Sequence, residues 1–308
     1  MHRLAISLAA LAALASAQAN AQPAPAAPAA APAPAAATPP TVTNVGASIN
    51  ITPKRVTFDK TRRNATVFIL NQGQTPITVD VTLIDRMMMT DGQIVPADFA
   101  ASHPEMAATL AKVRSAKAYV QISPRRVALD PGRGQNIRLR LSDFPADAGE
   151  FRSHLTVTTI PPRDSGTTAE EVAGGAGQNQ LRFKINAVYG VSIPVIIRNE
   201  TPQVSASLSN LRIETAVNGA GQRVPVLALD LARTGGSSLY GNLEVRPVGA
   251  KKGSDPIGVA RGVGVYPEVD HRVVRVPLTR APNAGEALEV TFTDDDTSPG
   301  KVLAKSTL

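Results

Sequence analysis

The chain is expected to be all-β, with two β-sandwich domains in tandem. Short segments in which apolar and polar residues alternate recur from Ile49 almost to the C-terminus, the period expected of strands with one buried face. Turn residues punctuate them, among them Asn71-Gln72-Gly73, Asp130-Pro131-Gly132, Gly235-Gly236 and Pro282-Asn283. The length of 308 residues, 43% of them hydrophobic, is enough for two cores, each serving a domain of about 100 to 150 residues.

Composition narrows the function classes. Cys and Trp are absent and aromatics make up 4% of the chain, so the cores must be aliphatic and neither a disulfide nor a thiolate metal site can form. The net charge is +7, but the basic pairs Arg62-Arg63 and Arg125-Arg126 come without an aromatic-studded basic strand or a recognition-helix pattern. They are read as solvated surface, and no nucleic-acid partner is expected. The histidines His2, His103, His154 and His271 stand in unrelated contexts, and there is no G-x-S-x-G elbow, Gly-rich phosphate loop or facing carboxylate pair. The expectation is a non-enzymatic protein without cofactor or metal.

Residues 1–21 have a basic start, an apolar run from Leu4 to Leu14 and small residues at Ala17, Ala19 and Ala21, the pattern of a secretory signal peptide. Residues 22–46, dominated by Ala and Pro, read as a disordered, semi-extended arm. The first domain is placed at 47–198. Thr66 to Leu70 and Ile77 to Leu83 are expected to pair as antiparallel strands joined by a loop; Val127 to Leu129, Ile137 to Leu141 and Phe151 to Ile160 follow. This spacing suggests an immunoglobulin-like sandwich. Pro96 to Lys117 is Ala-rich and spaces Met106, Leu110 and Val113 helically, so one or two helical turns are expected there as a surface elaboration. Met87-Met88-Met89 reads as core and edge packing, because consecutive strand residues cannot converge on one ion. Arg163 to Gln180 is polar and Gly-rich, a loop opening onto a long alternating strand. There Leu181, Phe183, Ile185, Ala187, Tyr189 and Val191 share one face and Pro194 breaks the pattern near Arg198. The second domain, 199–308, alternates at Leu227 to Leu231, Val274 to Leu278 and Leu288 to Phe292, and Asp294-Asp295-Asp296 reads as a solvated turn.

The ordered set INITPKRVTF, VQISPRRVALDPGRGQNIRLRL, GEFRSHLTVTTIPP, loop and alternating strand resembles the periplasmic pilus-assembly chaperones of the PapD type over residues 47–198. The resemblance implies two immunoglobulin-like domains and a chaperone that caps pilus-like protein subunits by donor-strand complementation. Residues 181–193 would be the lent strand, and Leu181, Phe183, Ile185, Ala187, Tyr189 and Val191 its plugs. It also implies a cleft in which two cations hold the subunit's terminal carboxylate. Arg55 matches the first. The second, a Lys in the final strand, has no counterpart, since Gly190 and Ser192 stand nearest, and Lys54 or Arg198 would have to compensate. Glu150 and Arg198 match an acid–Arg pair that sets the domain angle, and Ser123-Pro124 matches a Pro that is often cis.

Implied partners are pilus-like subunits and, beyond them, an outer-membrane usher. The implied location is the periplasm, with no membrane span in the mature chain. The alternative is an exported structural or adhesive protein that has the chaperone-like fold but no usher-linked client.

Overall fold

The computed structural model describes residues 48–161, 188–251 and 253–308. The expected leader, arm and loop, together with the proposed plugs Leu181, Phe183, Ile185 and Ala187, lie outside the described residues. Those described from Ser48 onward fall in a single compact unit containing two β-sandwiches.

The first sandwich is built from β1 (Ile49–Thr52), β2 (Val56–Phe58), β3 (Asn64–Asn71), β4 (Ile77–Ile84), β7 (Val120–Ser123), β8 (Arg126–Leu129), β9 (Gly134–Leu141), β10 (Glu150–Ile160) and β11 (Gly190–Arg198). One sheet runs β1-β3-β9-β7 and the other β2-β11-β10-β4-β8. The segment INITPKRVTF is therefore two strands in two sheets, changing sheet at the cis Thr52-Pro53 bond. Ser123-Pro124 is also cis and does the same between β7 and β8. A proline has no N–H to continue a ladder, which suits it to such a break.

The pairing expected between residues 66–70 and 77–83 does not form. β3 pairs with β1 and β9, whereas β4 pairs with β10 and β8. Each strand has one apolar face, and the two satisfy that constraint from opposite sheets, Val67 and Ile69 on one side of the core and Val79 and Val81 on the other. The buried Asn71 side chain secures the crossing, donating to the carbonyls of Thr75 (2.8 Å) and Leu129 (3.1 Å).

The second sandwich has one sheet of β12 (Ala206–Val217), β13 (Arg223–Arg233) and β16 (His271–Pro277). The other contains β14 (Leu239–Pro247), β15 (Gly258–Val265), β17 (Leu288–Asp294) and β18 (Val302–Thr307). Leu227, Leu229, Leu231, Val274, Val276, Leu288, Val290 and Phe292 fill its core, on the faces that alternation assigned to them.

Between β4 and β7 the chain forms a hairpin, β5 (Arg86–Met88) with β6 (Ile94–Pro96), then α1 (Ala97–Ala101), a 3-10 turn (Pro104–Met106) and α2 (Ala107–Leu110). The helical turns were expected as a surface elaboration; that the hairpin before them reaches into the second sandwich was not. Met88 and Ile94 pack into the second sandwich's core, and Val273 N–H donates to the Thr90 carbonyl (2.7 Å). The hairpin turn needs Gly92, whose φ is +89° and whose missing Cβ would lie 2.1 Å from Arg272 Nε. The hairpin thus joins the two sandwiches. Met88→Ala is expected to lower unfolding free energy by about 2 to 5 kcal/mol, the range for emptying a buried Met site. Urea denaturation followed by tyrosine fluorescence checks this. A change within about 0.5 kcal/mol, the range of surface substitutions, would mean the hairpin is peripheral.

Candidate functional site

β10 and β11 have two faces, and the second face builds the site. Their odd positions Phe151, Leu155, Val157, Ile193, Val195 and Ile197 enter the first core. The even positions pair laterally as Glu150 with Arg198, Arg152 with Ile196, His154 with Pro194 and Thr156 with Ser192. This row lies against the second sandwich, whose core receives Ile196.

At one end of the row, Arg198 Nε donates to Glu150 Oε2 at 3.0 Å, and its Nη2 donates to Asp296 Oδ2 at 2.8 Å. Glu150 also accepts from the amide (3.2 Å) and hydroxyl (2.9 Å) of Ser238. Arg55, on the bend before β2, donates from Nη2 to the same Asp296 oxygen (3.0 Å) and to Ser238 Oγ (3.1 Å), with its guanidinium 4.9 Å from the Tyr240 ring centroid. Two guanidiniums and two carboxylates thus meet and neutralise one another. Burial alone works against the Arg198 charge, but the Glu150 and Asp296 carboxylates outweigh it and hold its pKa above the usual value.

Asp296 reaches this position because Asp294 organises the loop after β17. The buried Asp294 carboxylate accepts from Asp296 N–H (3.1 Å), Thr297 Oγ1 (2.6 Å) and Ser298 N–H (2.7 Å). Its burial favours the neutral acid, yet these hydrogen bonds outweigh that and keep its pKa below the ordinary range. The expected solvated turn is instead an anchor between sandwiches.

Further along the row, Arg152 forms a buried pair with Glu268 (2.6 and 3.2 Å), donates to the Arg86 carbonyl (2.7 Å) and lies 3.6 Å from the Tyr266 ring centroid. Glu268 accepts from Met88 N–H at 2.8 Å, tying in the hairpin. His154 packs edge-on to Tyr266. Burial, then the cations Arg152, Arg86 and Arg55, push its pKa down to about 3.

The proposed pair Glu150–Arg198 therefore lies on neighbouring strands of one sheet and reaches the second sandwich through Ser238 and Asp296. Arg55 lies in the same network. Of the proposed plugs, Tyr189 is 37% exposed and Val191 packs at the edge of the first core. Arg152 and Glu268 were not singled out, His154 was set aside with the other histidines, and Asp296 was read as part of a solvated turn. The alternation E-R-H-T at 150, 152, 154 and 156 was the available signal, a polar row on a strand whose other face is apolar.

Beside Arg55 is a cleft of about 260 Å3 lined by Pro53, Lys54, Arg55, Thr57, Arg62, Tyr240, Asp295 and Asp296. Another, of about 420 Å3, shares Thr57, Arg62 and Asp296 with it and extends to Arg198 and Pro202. Among the described residues no helix is long and apolar enough to cross a membrane.

No family model and no curated protein matches the sequence. Solved structures do match. The YadV chaperone aligns at 13% identity over 84% of this chain and 99% of its own, with a TM-score of 0.41. The CupB2 chaperone of Pseudomonas aeruginosa aligns at 12% identity over 84% of this chain and 97% of its own, TM-score 0.40. The CsuC–CsuE chaperone–tip adhesion subunit pre-assembly complex of Acinetobacter baumannii aligns at 14% identity over 85% of this chain and 97% of the matched chain, TM-score 0.39.

His154 gives the site a pH dependence. It is neutral when folded and protonates near pH 6.5 when unfolded, so its contribution is complete above that pH and is lost as pH falls toward about 3. Wild type is expected to lose about 1.4 kcal/mol per pH unit more than His154→Gln across that window. Denaturation midpoints at pH 7, 5.5 and 4.5 check this; parallel curves would contradict it.

Proposed function

We propose that this chain is an exported, non-catalytic chaperone that caps strand-deficient, pilus-like subunits in the periplasm by lending them the strand that ends in β11. One observation carries the reading. β11 is paired with β10 along its whole length, but on its other side β2 covers only Val195, Ile196 and Ile197. Among the described residues, Gly190 to Pro194 has no neighbour on that side. An open sheet edge accepts an added strand through main-chain hydrogen bonds, while alternate side chains fill the partner's groove.

β2 runs parallel to β11, with Val56 opposite Val195. A client strand continuing that line in the same direction would end beside Arg55, whose guanidinium could then take the client's terminal carboxylate. Upstream, Leu181, Phe183, Ile185 and Ala187 would continue the face of Tyr189 and Val191 as plugs. Each large apolar plug would contribute roughly 1.5 to 3 kcal/mol before ordering costs are subtracted. In this reading Glu150, Arg198 and Asp296 hold the two sandwiches in the orientation that forms the cleft, and an outer-membrane usher is the natural recipient of the capped subunit.

One observation favours the alternative, an exported structural or adhesive protein. Arg55 Nη2 is already bonded to Asp296 and Ser238. Co-expression with candidate subunits separates the two. Phe183→Asp would place a charge in the client's apolar groove and is expected to reduce recovered periplasmic subunit about tenfold or more. Subunit levels that depend neither on the protein nor on Phe183 would contradict the chaperone reading.

A further inference from the structure

β12 is the longest strand of the second sandwich, and one of its two sides is unused. It pairs with β13 from Ala206 to Val217, and among the described residues no strand pairs with it on the other side, although β18 of the facing sheet runs close by. The hairpin turn shows which main-chain groups face that side. Asn218 N–H donates to the Gln222 carbonyl at 2.9 Å, and bonded and unbonded pairs alternate along an antiparallel ladder. Ala216, Glu214 and Arg212 therefore bond to β13, while the N–H and C=O groups of Val217, Thr215 and Ile213 point away from it. Pro225, which has no N–H to give, accordingly stands opposite Thr215. Ile213 and Val217 are also exposed, at 39% and 68%.

Edge strands are commonly guarded by charge, and charges of one sign would repel a second copy. β12 carries instead one charge of each sign two residues apart, Arg212 and Glu214, on the face opposite Ile213. They are bonded to each other (2.8 Å), and Arg275 of β16 also donates to Glu214 (3.1 Å). Free amides must meet free amides, so a two-fold axis through the middle of the open stretch can pass Ile213, Glu214 or Thr215. An axis at Glu214 sets like charges opposite each other, and one at Thr215 leaves both charges facing neutral residues. An axis at Ile213 sets Arg212 opposite Glu214 of the second copy, twice over. These are unbonded pairs of the new ladder, where side chains stand closest. Asn210, with φ +53° at a register shift, ends the regular ladder just before this stretch.

We propose that the second sandwich is a dimerisation module: two copies of this chain join β12 to β12, antiparallel about Ile213, and so merge their two three-stranded sheets into one. Ile213 meets its counterpart at the axis, and the four charges of the two edges alternate in sign on the opposite face. The joint uses no residue of the first sandwich, so it stands independently of the capping reading and gives a particle with two β11 edges.

The test is sedimentation velocity of the full-length mature protein over a range of concentrations at low salt. Wild type is expected to dimerise. Arg212→Glu or Glu214→Arg alone is expected to weaken dimerisation about tenfold or more, since each turns two attractive cross-strand pairs into repulsive ones. An equimolar mixture of the two single variants is expected to recover the dimer, because each acid then faces an arginine again. The double variant Arg212→Glu/Glu214→Arg is expected to recover it within one chain. Near-UV circular dichroism establishes that each variant is folded. A wild type that stays monomeric overturns the proposal. So does a dimer that both single variants retain, which places the contact elsewhere, and so do a mixture and a double variant that are folded but monomeric.

Discussion

Charges taken out of water must find one another, and in this molecule that constraint joins the two sandwiches. Arg198, Arg55, Glu150 and Asp296 come from four separate segments and meet around Ser238, with Arg152 and Glu268 repeating the pattern further along β10. Removing one member would strand its partners in a buried site, typically a cost of several kcal/mol, although a buried ion pair is weak ground for net stability against an apolar replacement. Its contribution here is to geometry. A Ser238 hydroxyl that accepts from the guanidiniums of Arg55 and Arg198 (3.1 and 3.2 Å) while donating to the Glu150 carboxylate has few orientations available.

The network is possible because β10 and β11 present two different faces. Their odd positions complete an aliphatic core, and their even positions carry the polar row and Ile196 against the second sandwich. The same two strands therefore set the packing of the first domain and its attachment to the second. The β5–β6 hairpin adds a second attachment, placing Met88 in the far core and its amide on Glu268. Beyond this junction β11 has, among the described residues, no neighbour on one side from Gly190 to Pro194.

Much of this was legible in the sequence. Alternation at residues 77–83, 137–141 and 227–231 named the strands and their buried faces correctly, because burial on one face imposes period two. It could not say which strands pair, since Val67 and Val79 look alike whether their strands lie side by side or across a core. Arg55, Glu150 and Arg198 were singled out only through the family resemblance. Asp296 was missed because an acidic run after a strand normally indicates solvent, and nothing local reports that two arginines more than ninety residues away converge on it. The run Met87-Met88-Met89 was read as core and edge packing, but that Met88 enters the second sandwich's core could not be inferred from three consecutive residues.

Among the described residues β11 is covered on both sides over its second half and on one side only over its first. Amide hydrogen exchange measured residue by residue along this strand in the free protein tests it most directly. Slow exchange is expected from Val195 to Ile197, where β2 completes the ladder, and fast exchange at alternate, outward-facing amides between Gly190 and Ile193. Uniformly slow exchange from Gly190 to Ile197 would contradict it, since the edge on which the proposed function depends would then already be occupied.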